Sequence, residues 1–249
     1  MLDIKGVSKR FGGLTALEEV NLRLPEGGIY GLIGPNGAGK TTLFNLITGL
    51  LPVSAGAIVF KDRDLTNLRP HEIARLGIAR TFQNIRLFPT MTVLENVFVA
   101  QNIRTRSGVS SLVPVDSRRE RELREEAESL LVRMGLWEKR HEGSTSLAYG
   151  EQRRLEIARA LALQPSLLLL DEPAAGMNEA ETEDLLERIQ ELRNMGKTVF
   201  LIEHDMNLVM GICHQIFVLN FGRLIASGGP EEVQANEEVI EAYLGRDEG

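Results

Sequence analysis

The clearest pattern in the chain is a set of short, unbroken apolar runs separated by polar and helical segments. The runs cover residues 29–33, 167–170, 199–202 and 216–219. Strands buried on both faces have continuous apolar sequences, whereas strands with one face in water alternate. Each of the first three runs leads into polar or glycine-rich residues and then into a helical pattern. This order predicts an α/β fold with a mainly parallel sheet, in which ligands bind beyond the carboxyl ends of the strands.

Two segments depart from this order of strands and helices. Residues 216–226 contain two short apolar stretches around Asn220-Phe221-Gly222, and this pattern predicts a hairpin. From about residue 84 to residue 163 helical patterns dominate, and residues 123–134 keep one apolar face up to a stop at Gly135. We therefore expect a mostly helical lobe that interrupts an α/β core.

Composition restricts the classes of function. The 249 residues are 43% apolar and 25% charged, which is ordinary for a globular protein. The net charge of −7 argues against nucleic acid as a partner, because binding phosphate backbones needs surplus Lys and Arg. The single cysteine, Cys213, excludes an internal disulfide, and its apolar neighbours predict a small core residue. No apolar run approaches the ~18 residues that span a membrane, so a membrane role would be that of a peripheral subunit.

A glycine-rich segment follows the first apolar run and precedes a helical pattern. Residues 34–41 read Gly-Pro-Asn-Gly-Ala-Gly-Lys-Thr and fit G-x-x-x-x-G-K-[ST]. The glycines let backbone N–H groups converge on a phosphate, and the helix N-terminus adds partial positive charge. Lys40 can neutralise β- and γ-phosphate oxygens, and the Thr41 hydroxyl can bind Mg²⁺. The residues predicted to hold the nucleotide phosphates are Gly34, Asn36, Gly37, Ala38, Gly39, Lys40, Thr41 and Thr42.

Two adjacent carboxylates, Asp171 and Glu172, follow the leucine run 167–170. Asp171 is placed to hold Mg²⁺ through water, and Glu172 is placed to polarise an attacking water as a general base. Two carboxylates after such a strand are costly to bury without a cation nearby. Together with the glycine-rich segment, they predict a site that hydrolyses a nucleoside triphosphate.

Between these two motifs, residues 146–154 read Ser-Leu-Ala-Tyr-Gly-Glu-Gln-Arg-Arg and resemble the signature motif of ATP-binding cassettes. In that family the motif faces the γ-phosphate of ATP bound to the other subunit, and the resemblance assigns this contact to Leu147, Ala148, Gly150 and Glu151. Gly150 precedes a helical pattern from Glu151, a second helix N-terminus suited to phosphate. Ala148 stands where the family usually has serine, and losing that hydrogen bond costs on the order of 1–3 kcal/mol. The Gly150 N–H and the helix dipole remain.

The same resemblance implies roles for four further residues. Gln83 matches the glutamine that reaches the metal and the water and joins the core to the helical lobe. His204 matches the histidine that contacts the γ-phosphate, and Asn178 stands where the family commonly has an acidic residue at the dimer contact. Phe11 is the candidate for the aromatic ring that stacks on adenine.

For the fold, the resemblance implies a P-loop NTPase core with a mainly parallel sheet, an N-terminal antiparallel β lobe and an inserted helical lobe. We expect residues 1–249 to form a single ATP-binding-cassette domain. Its nucleotide-binding core would comprise residues 1–83 and 164–249, and its helical signature lobe would comprise residues 84–163.

A narrower resemblance rests on residues 148–150, 171–176, 202–206 and 239–245 together. They are similar to the longer ATPase subunit of the prokaryotic high-affinity branched-chain amino acid importer, whose extra segment corresponds here to about residues 101–116. This resemblance implies a second ATPase subunit, either a sister cassette or a second copy, and two transmembrane permease subunits. A substrate-binding protein would act only indirectly. It also implies a peripheral position at the cytoplasmic face of the inner membrane, and it alone indicates leucine, isoleucine and valine as cargo.

The segment after Gln83, residues 84–97, is expected to form the groove that takes a short helix of the membrane subunit. We hypothesise that at least one of Leu87 and Phe88 faces this groove.

Three alternatives remain at this point. The same machine could carry urea, short amides or lipopolysaccharide, although lipopolysaccharide cassettes usually keep serine where Ala148 stands. A non-transport cassette ATPase, used in chromosome maintenance or translation, would need a long coiled coil or two cassettes, and neither fits 249 residues. A GTPase switch would need an Asn-Lys-x-Asp guanine-binding motif, which the sequence lacks.

Overall fold

The computed structural model describes residues 1–105 and 117–244, which form two β-sheets and a set of helices. The strands are β1 (Leu2–Phe11), β2 (Leu14–Leu24), β3 (Ile29–Ile33), β4 (Ala55–Phe60), β5 (Arg63–Asp64), β6 (Ile78–Arg80), β7 (Leu167–Asp171), β8 (Thr198–Ile202), β9 (Gln215–Asn220) and β10 (Arg223–Gly228). The helices are α1 (Lys40–Ile47), α2 (Pro70–Arg75), α3 (Val93–Thr105), α4 (Ser117–Arg133), α5 (Tyr149–Leu161), α6 (Glu179–Asn194), α7 (Met206–Ile212), α8 (Pro230–Gln234) and α9 (Glu237–Leu244).

The larger sheet has the strand order β10-β9-β3-β8-β7-β6, and all of its strand pairs except β9–β10 are parallel. The predicted runs 29–33, 167–170 and 199–202 lie in β3, β7 and β8, where every residue is buried. This confirms the parallel sheet. Because carboxyl ends of parallel strands meet at one edge, the segments after β3, β6, β7 and β8 leave the sheet side by side.

Successive residues of the central strands pack into two different cores because strand side chains alternate between faces. On one face, Leu168 and Leu170 pack with apolar residues of α4 to α7. On the other face, Leu167 and Leu169 pack with α1 and the smaller sheet. The ring of Phe200 in β8 extends this second core, with its centroid 5.1 Å from that of Phe44.

The smaller sheet is antiparallel, with the order β2-β1-β4-β5. It is built entirely from residues before position 65, so the predicted N-terminal antiparallel β lobe is confirmed. Within the described part of the chain, residues 84–163 contain α3, α4, α5 and two 3-10 turns, at Trp137–Lys139 and Ser144–Ser146, which confirms the predicted helical region. Residues 106–116 of the expected extra segment lie outside the described residues.

Three local predictions are also confirmed. The apolar face of α4 is buried, and Gly135 follows the helix in the left-handed region, with φ 64°. The strands β9 and β10 form the expected hairpin around Phe221 and Gly222, both with positive φ. Cys213 is a buried residue, and burial raises the pKa of its thiol to about 12. None of the helices in the described ranges is long and apolar enough to cross a membrane.

Candidate nucleotide site

The glycine-rich segment leaves the carboxyl end of β3 and turns into α1, which begins at Lys40. At two positions of this segment, neighbouring backbone lies so close that only glycine, which has no Cβ atom, fits. A Cβ atom at Gly34 would collide with the Leu219 carbonyl group, and one at Gly39 would lie 2.8 Å from the Ala16 carbonyl oxygen. Both residues also have positive φ, 147° and 104°. The turn therefore packs between β9 and the start of β2.

Lys40 is the cation of this loop, and its side chain is folded over the loop backbone. Its Nζ donates hydrogen bonds to the Gly34 carbonyl at 2.6 Å and to the Pro35 carbonyl at 3.0 Å. Burial lowers the pKa of Lys40, while the charges of Glu172 and Asp171 act in the opposite direction. A buried cation next to converging N–H groups is an arrangement that binds phosphate.

The first turn of α1 is left open for an anion. The N-cap is Gly39, which has no side chain to accept hydrogen bonds from the first N–H groups, and the first turn has no acidic residue. Asn36, Gly37 and Thr41 are exposed beside it. Ala38 is buried and Thr42 half-buried. All eight residues predicted to hold phosphates therefore lie on one continuous loop and helix start, and this surface fits a nucleoside triphosphate.

Asp171 ends β7 and is almost fully buried, and it is paired with an arginine of the neighbouring strand. Arg80 Nη2 donates to Asp171 Oδ2 at 2.7 Å. The sequence predicted a cation near the two carboxylates, but it did not identify Arg80. In the sequence, Arg80 is marked only as a charged residue at the end of the short apolar stretch Ile78-Ala79. That this charge pairs with Asp171 follows from β6 lying beside β7.

Glu172 begins the loop after β7 in the left-handed region, with φ 47°. Such backbone costs on the order of 1–3 kcal/mol for a residue with a side chain, and it clusters at functional sites. The Glu172 N–H donates to the Ile202 carbonyl at 3.0 Å, and Gln83 Nε2 donates to Glu172 Oε2 at 2.8 Å. The structure thus brings together the two predicted residues Gln83 and Glu172 from neighbouring loops.

His204 lies at the same sheet edge, two residues after β8, with its side chain largely exposed. The buried Glu203 beside it was not predicted. Its carboxylate accepts hydrogen bonds from the backbone N–H groups of Ala174, at 3.0 Å, and His204, at 3.3 Å. Burial raises the pKa of Glu203. Glu203 therefore joins the loop after β7 to the loop after β8.

Phe11 and Asn178 lie in different settings. Phe11 ends β1 with 44% of its surface exposed, and Lys9 Nζ lies 4.9 Å from its ring centroid. Asn178 is the N-cap of α6. Its Oδ1 accepts from the Glu181 N–H at 3.0 Å, and its own N–H donates to the Glu181 carboxylate at 3.1 Å. Asn178 thus has a helix-capping role that the sequence reasoning did not state.

The signature segment corrects one prediction, because α5 begins at Tyr149 and not at Glu151. Ala148 is the N-cap, and the Glu151 carboxylate accepts from the Ala148 N–H at 3.1 Å, so the helix is capped from its own first turn. Gly150 therefore lies inside this turn, where a Cβ atom would be 2.8 Å from Glu181 Oε1. Ala148 is exposed and Leu147 buried. Lys139 forms an ion pair with Glu151 at 2.8 Å.

A fully buried arginine, which was also not predicted, connects α5 to the loop that carries Gln83. Arg153 donates to the carbonyl oxygens of Phe82 at 2.6 Å and Gln83 at 2.7 Å, and to the Glu156 carboxylate at 2.9 Å. The same carboxylate accepts from the Arg86 N–H at 3.2 Å. Burial raises the pKa of Glu156, and the charge of Arg153 opposes this shift. The Gln83 loop is therefore fixed to the signature helix within one chain.

The glycine loop between β3 and α1, with acidic residues ending a nearby parallel strand, defines a P-loop nucleoside triphosphatase. The chain belongs to the ABC transporter family, whose model matches residues 17–175; a second model, described as branched-chain amino acid ATP-binding cassette transporter, matches residues 223–249. The predicted family and the enzyme class, an ATPase, are confirmed.

Individual relatives agree with this assignment over nearly the whole chain. The chain is 49% identical to the high-affinity branched-chain amino acid transport ATP-binding protein LivG of Salmonella typhimurium, over 98% of both chains. Its structure is similar to that of the ABC transporter cassette MJ1267 in its ADP conformation, with a TM-score of 0.87, 32% identity and 98% of both chains covered. It is also similar to a dimeric post-hydrolysis structure of the cassette MJ0796 bound to ADP and Pi, with a TM-score of 0.79, 27% identity, and 92% and 99% covered.

Proposed function

We propose that this chain is the ATPase subunit of an importer of branched-chain amino acids and that it works as half of an ATP-bound dimer. The proposal rests on one observation above all. Residues 34–41, Asp171, Glu172 and Gln83 lie together within one chain. Among the described residues, the signature motif is hydrogen-bonded to that site through Arg153 and the Gln83 backbone carbonyl, and not through residues 146–151. We infer from this that a second chain brings its signature segment to the γ-phosphate.

Within one chain, the phosphates of ATP are bound by backbone N–H groups of residues 36–41 and by the Lys40 side chain, and adenine stacks on Phe11. Thr41, Asp171 and Gln83 would hold Mg²⁺, which would neutralise charge on the β- and γ-phosphates. The free oxygens at this edge, a hydroxyl, a carboxylate and an amide, are the hard ligands that Mg²⁺ prefers.

Hydrolysis requires a base, and Glu172 takes this role. Its carboxylate accepts the proton of the attacking water, while the hydrogen bond from Gln83 fixes the orientation of that carboxylate. The exposed His204 contacts the γ-phosphate from the neighbouring loop. Its side chain is largely exposed, so it is accessible to a bound nucleotide.

The partner cassette, either a sister subunit or a second copy, contributes Leu147, Ala148, Gly150, Glu151 and Asn178. The dimeric cassette MJ0796, which is similar to this chain, supports the arrangement. The whole chain acts as one cassette domain. Residues 1–83 and 164–249 bind the nucleotide, and residues 84–163 carry the signature, with Arg153 joining the two parts.

Two permease subunits bind the segment 84–97 at the cytoplasmic face of the inner membrane, and the substrate-binding protein acts only through them. Phe88 is the best placed of the two predicted contacts, because 37% of it is exposed and the Arg159 guanidinium lies 4.6 Å from its ring centroid. Leu87 instead packs against the main core. Phe88→Asp should prevent assembly with the membrane subunits while leaving the cassette folded. If both Leu87→Asp and Phe88→Asp assemble normally, the proposed groove is wrong.

The function is tested by uptake of labelled leucine, isoleucine and valine, with urea for comparison, in source cells that carry Glu172→Gln at the native locus. We expect loss of amino acid uptake alone at normal protein abundance. Loss of urea uptake alone would support the ATPase role but show that the transported substrate is urea and not a branched-chain amino acid. If neither changes, the chain is a cassette ATPase that powers some other process.

A further inference from the structure

Arg80 is a buried cation in contact with Asp171, and no function assigned so far uses it. It ends β6, three residues before Gln83, and only 5% of its side chain is exposed. Its guanidinium carbon lies 5.5 Å from the ring centroid of Phe44 and 5.0 Å from that of Phe82. Arginine is rarely buried to this degree unless its charge is paired.

The hydrogen bonds of Arg80 run to two separate parts of the site. Nη1 donates to Asn45 Oδ1 in α1 at 2.7 Å and approaches the Thr48 hydroxyl at 3.4 Å. Nη2 donates to Asp171 Oδ2 at 2.7 Å. One guanidinium therefore connects the helix of the phosphate loop to the acidic end of β7, from the base of the loop that carries Gln83.

The two carboxylate oxygens of Asp171 differ in their hydrogen bonding. Oδ2 is held by Arg80, whereas Oδ1 accepts no hydrogen bond from the described residues. A carboxylate buried in this way, without a cation, carries a large desolvation penalty. A nucleotide enzyme releases its product and metal ion in every cycle, so a counter-charge supplied only by the metal would be lost each time.

We infer that Arg80 is the permanent counter-charge of Asp171. Its guanidinium keeps the buried carboxylate paired through Oδ2 between turnovers, and the metal ion is left to meet the other oxygen, Oδ1. This inference rests on the proposed role of Asp171 in holding Mg²⁺, but its first test does not depend on that role.

The first test is a double-mutant cycle by denaturant unfolding, without nucleotide or Mg²⁺, using Arg80→Met and Asp171→Asn. Arg80→Met leaves a buried carboxylate unpaired, and adding Asp171→Asn removes that charge. We expect Asp171→Asn to destabilise the otherwise unchanged protein but to stabilise the Arg80→Met protein, with a coupling of roughly tenfold to a hundredfold in the unfolding equilibrium constant. Equal effects in both backgrounds would overturn the inference.

Two further variants keep this test decisive. Arg80→Lys retains the charge without the planar fork, so it should lose less stability than Arg80→Met. If Arg80→Met does not fold, the uncharged Arg80→Gln replaces it in the cycle. Arg75→Met, at an exposed arginine of α2, is the matched control and should show no coupling to Asp171→Asn.

The second test titrates Mg²⁺ while following the fluorescence of bound mant-ADP. In Arg80→Met the metal ion meets an uncompensated carboxylate, so the half-maximal Mg²⁺ concentration should fall several-fold. An unchanged or higher concentration would contradict the role as counter-charge. If Asp171→Asn alone leaves the Mg²⁺ dependence unchanged, the proposed metal site fails, and the unfolding cycle still decides the inference about Arg80.

Discussion

Helices α1 and α5 both begin at a glycine-containing motif for which we propose a phosphate contact, but their first turns are built differently. The N-cap of α1 is a left-handed glycine, its first turn has no acidic residue, and the buried Lys40 is its first residue. The N-cap of α5 is the exposed Ala148, whose N–H already donates to the Glu151 carboxylate within the same turn.

The two helix starts therefore differ in what they offer to an anion. The first turn of α1 has a glycine N-cap and no acidic residue, and it lies beside a cation, so we expect a single chain to bind phosphate there. The first turn of α5 already contains a carboxylate, and Lys139 is paired with that carboxylate. We infer that α1 provides most of the affinity for ATP, while α5 makes hydrolysis depend on a second cassette. The predictions that follow test this division.

The largest effect is expected from removing the cation of α1. Lys40→Ala should weaken ATP binding about a hundredfold, because hydrogen bonds between charged groups contribute about 1.5–3 kcal/mol each and we propose that Lys40 contacts both the β- and γ-phosphates. Equilibrium titration with mant-ATP measures the affinity, and Lys61→Ala, at a half-exposed surface lysine, is the control. A loss below tenfold would mean that the backbone N–H groups dominate.

A substitution in α5 should affect the dimer but not the affinity of one chain. Gly150→Ala places a Cβ atom 2.8 Å from Glu181 Oε1, so Glu181 must move and its hydrogen bond with the Asn178 N–H is weakened. We expect ATP-dependent dimerisation and hydrolysis to fall about tenfold, as for an interaction of ~1.4 kcal/mol, with mant-ATP binding to the monomer unchanged. Light scattering with ATP and a steady-state assay measure both quantities.

Gly211→Ala is the matched control for this variant, since a Cβ atom at that helical glycine meets nothing within 4 Å. It should leave dimerisation and hydrolysis as they are. A Gly150→Ala protein that also binds mant-ATP weakly would show that α1 and α5 are not independent.

Ala148→Ser should make the start of α5 more like an ordinary capped helix. A serine hydroxyl at the N-cap accepts from the Glu151 N–H and stabilises the protein by ~1 kcal/mol, which raises Tm by about 2–4 °C for a chain of this size. Thermal unfolding without nucleotide measures this effect, and Ala148→Val, which lacks an acceptor, should not reproduce it. Faster hydrolysis at an unchanged Tm would instead indicate that the hydroxyl acts only on the partner's ATP.

The smallest expected effect is a dependence on pH. The pKa values of the lysines at the two helix starts are shifted in opposite directions. Burial lowers the pKa of Lys40 below its usual 10.5, whereas the hydrogen bond to Glu151 raises the pKa of Lys139 above it. ATP affinity should therefore fall a few-fold as the pH rises towards 10.5, when Lys40 loses its proton. The stability from the Lys139–Glu151 pair is present below 10.5 and is lost only above it. Titration with mant-ATP from pH 8 to 10.5 checks the first point, and an affinity that stays constant in this range would contradict it.

Much of the fold and of the candidate site could be predicted because the signals are local. Continuous apolar runs give β3, β7 and β8, and the glycine pattern after β3 marks the phosphate loop. The start of α5 could not be located from Gly150, because Glu151 caps the helix from inside its first turn. Arg80 and Arg153 were missed because their partners are far along the chain, at separations of 91 residues for Arg80 and up to 71 for Arg153.

Local sequence is enough to identify the buried strands and the glycine loop and carboxylates that follow them, since strand burial and glycine geometry act over a few residues. Which charges meet depends on the tertiary structure. The sheet order places β6 beside β7, so that Arg80 reaches Asp171, and the packing of α5 on the loop after β6 buries Arg153 against Gln83. A buried charge is stable only with its partner in contact, and contact between distant residues is set by the packing of strands and helices and not by their sequence spacing.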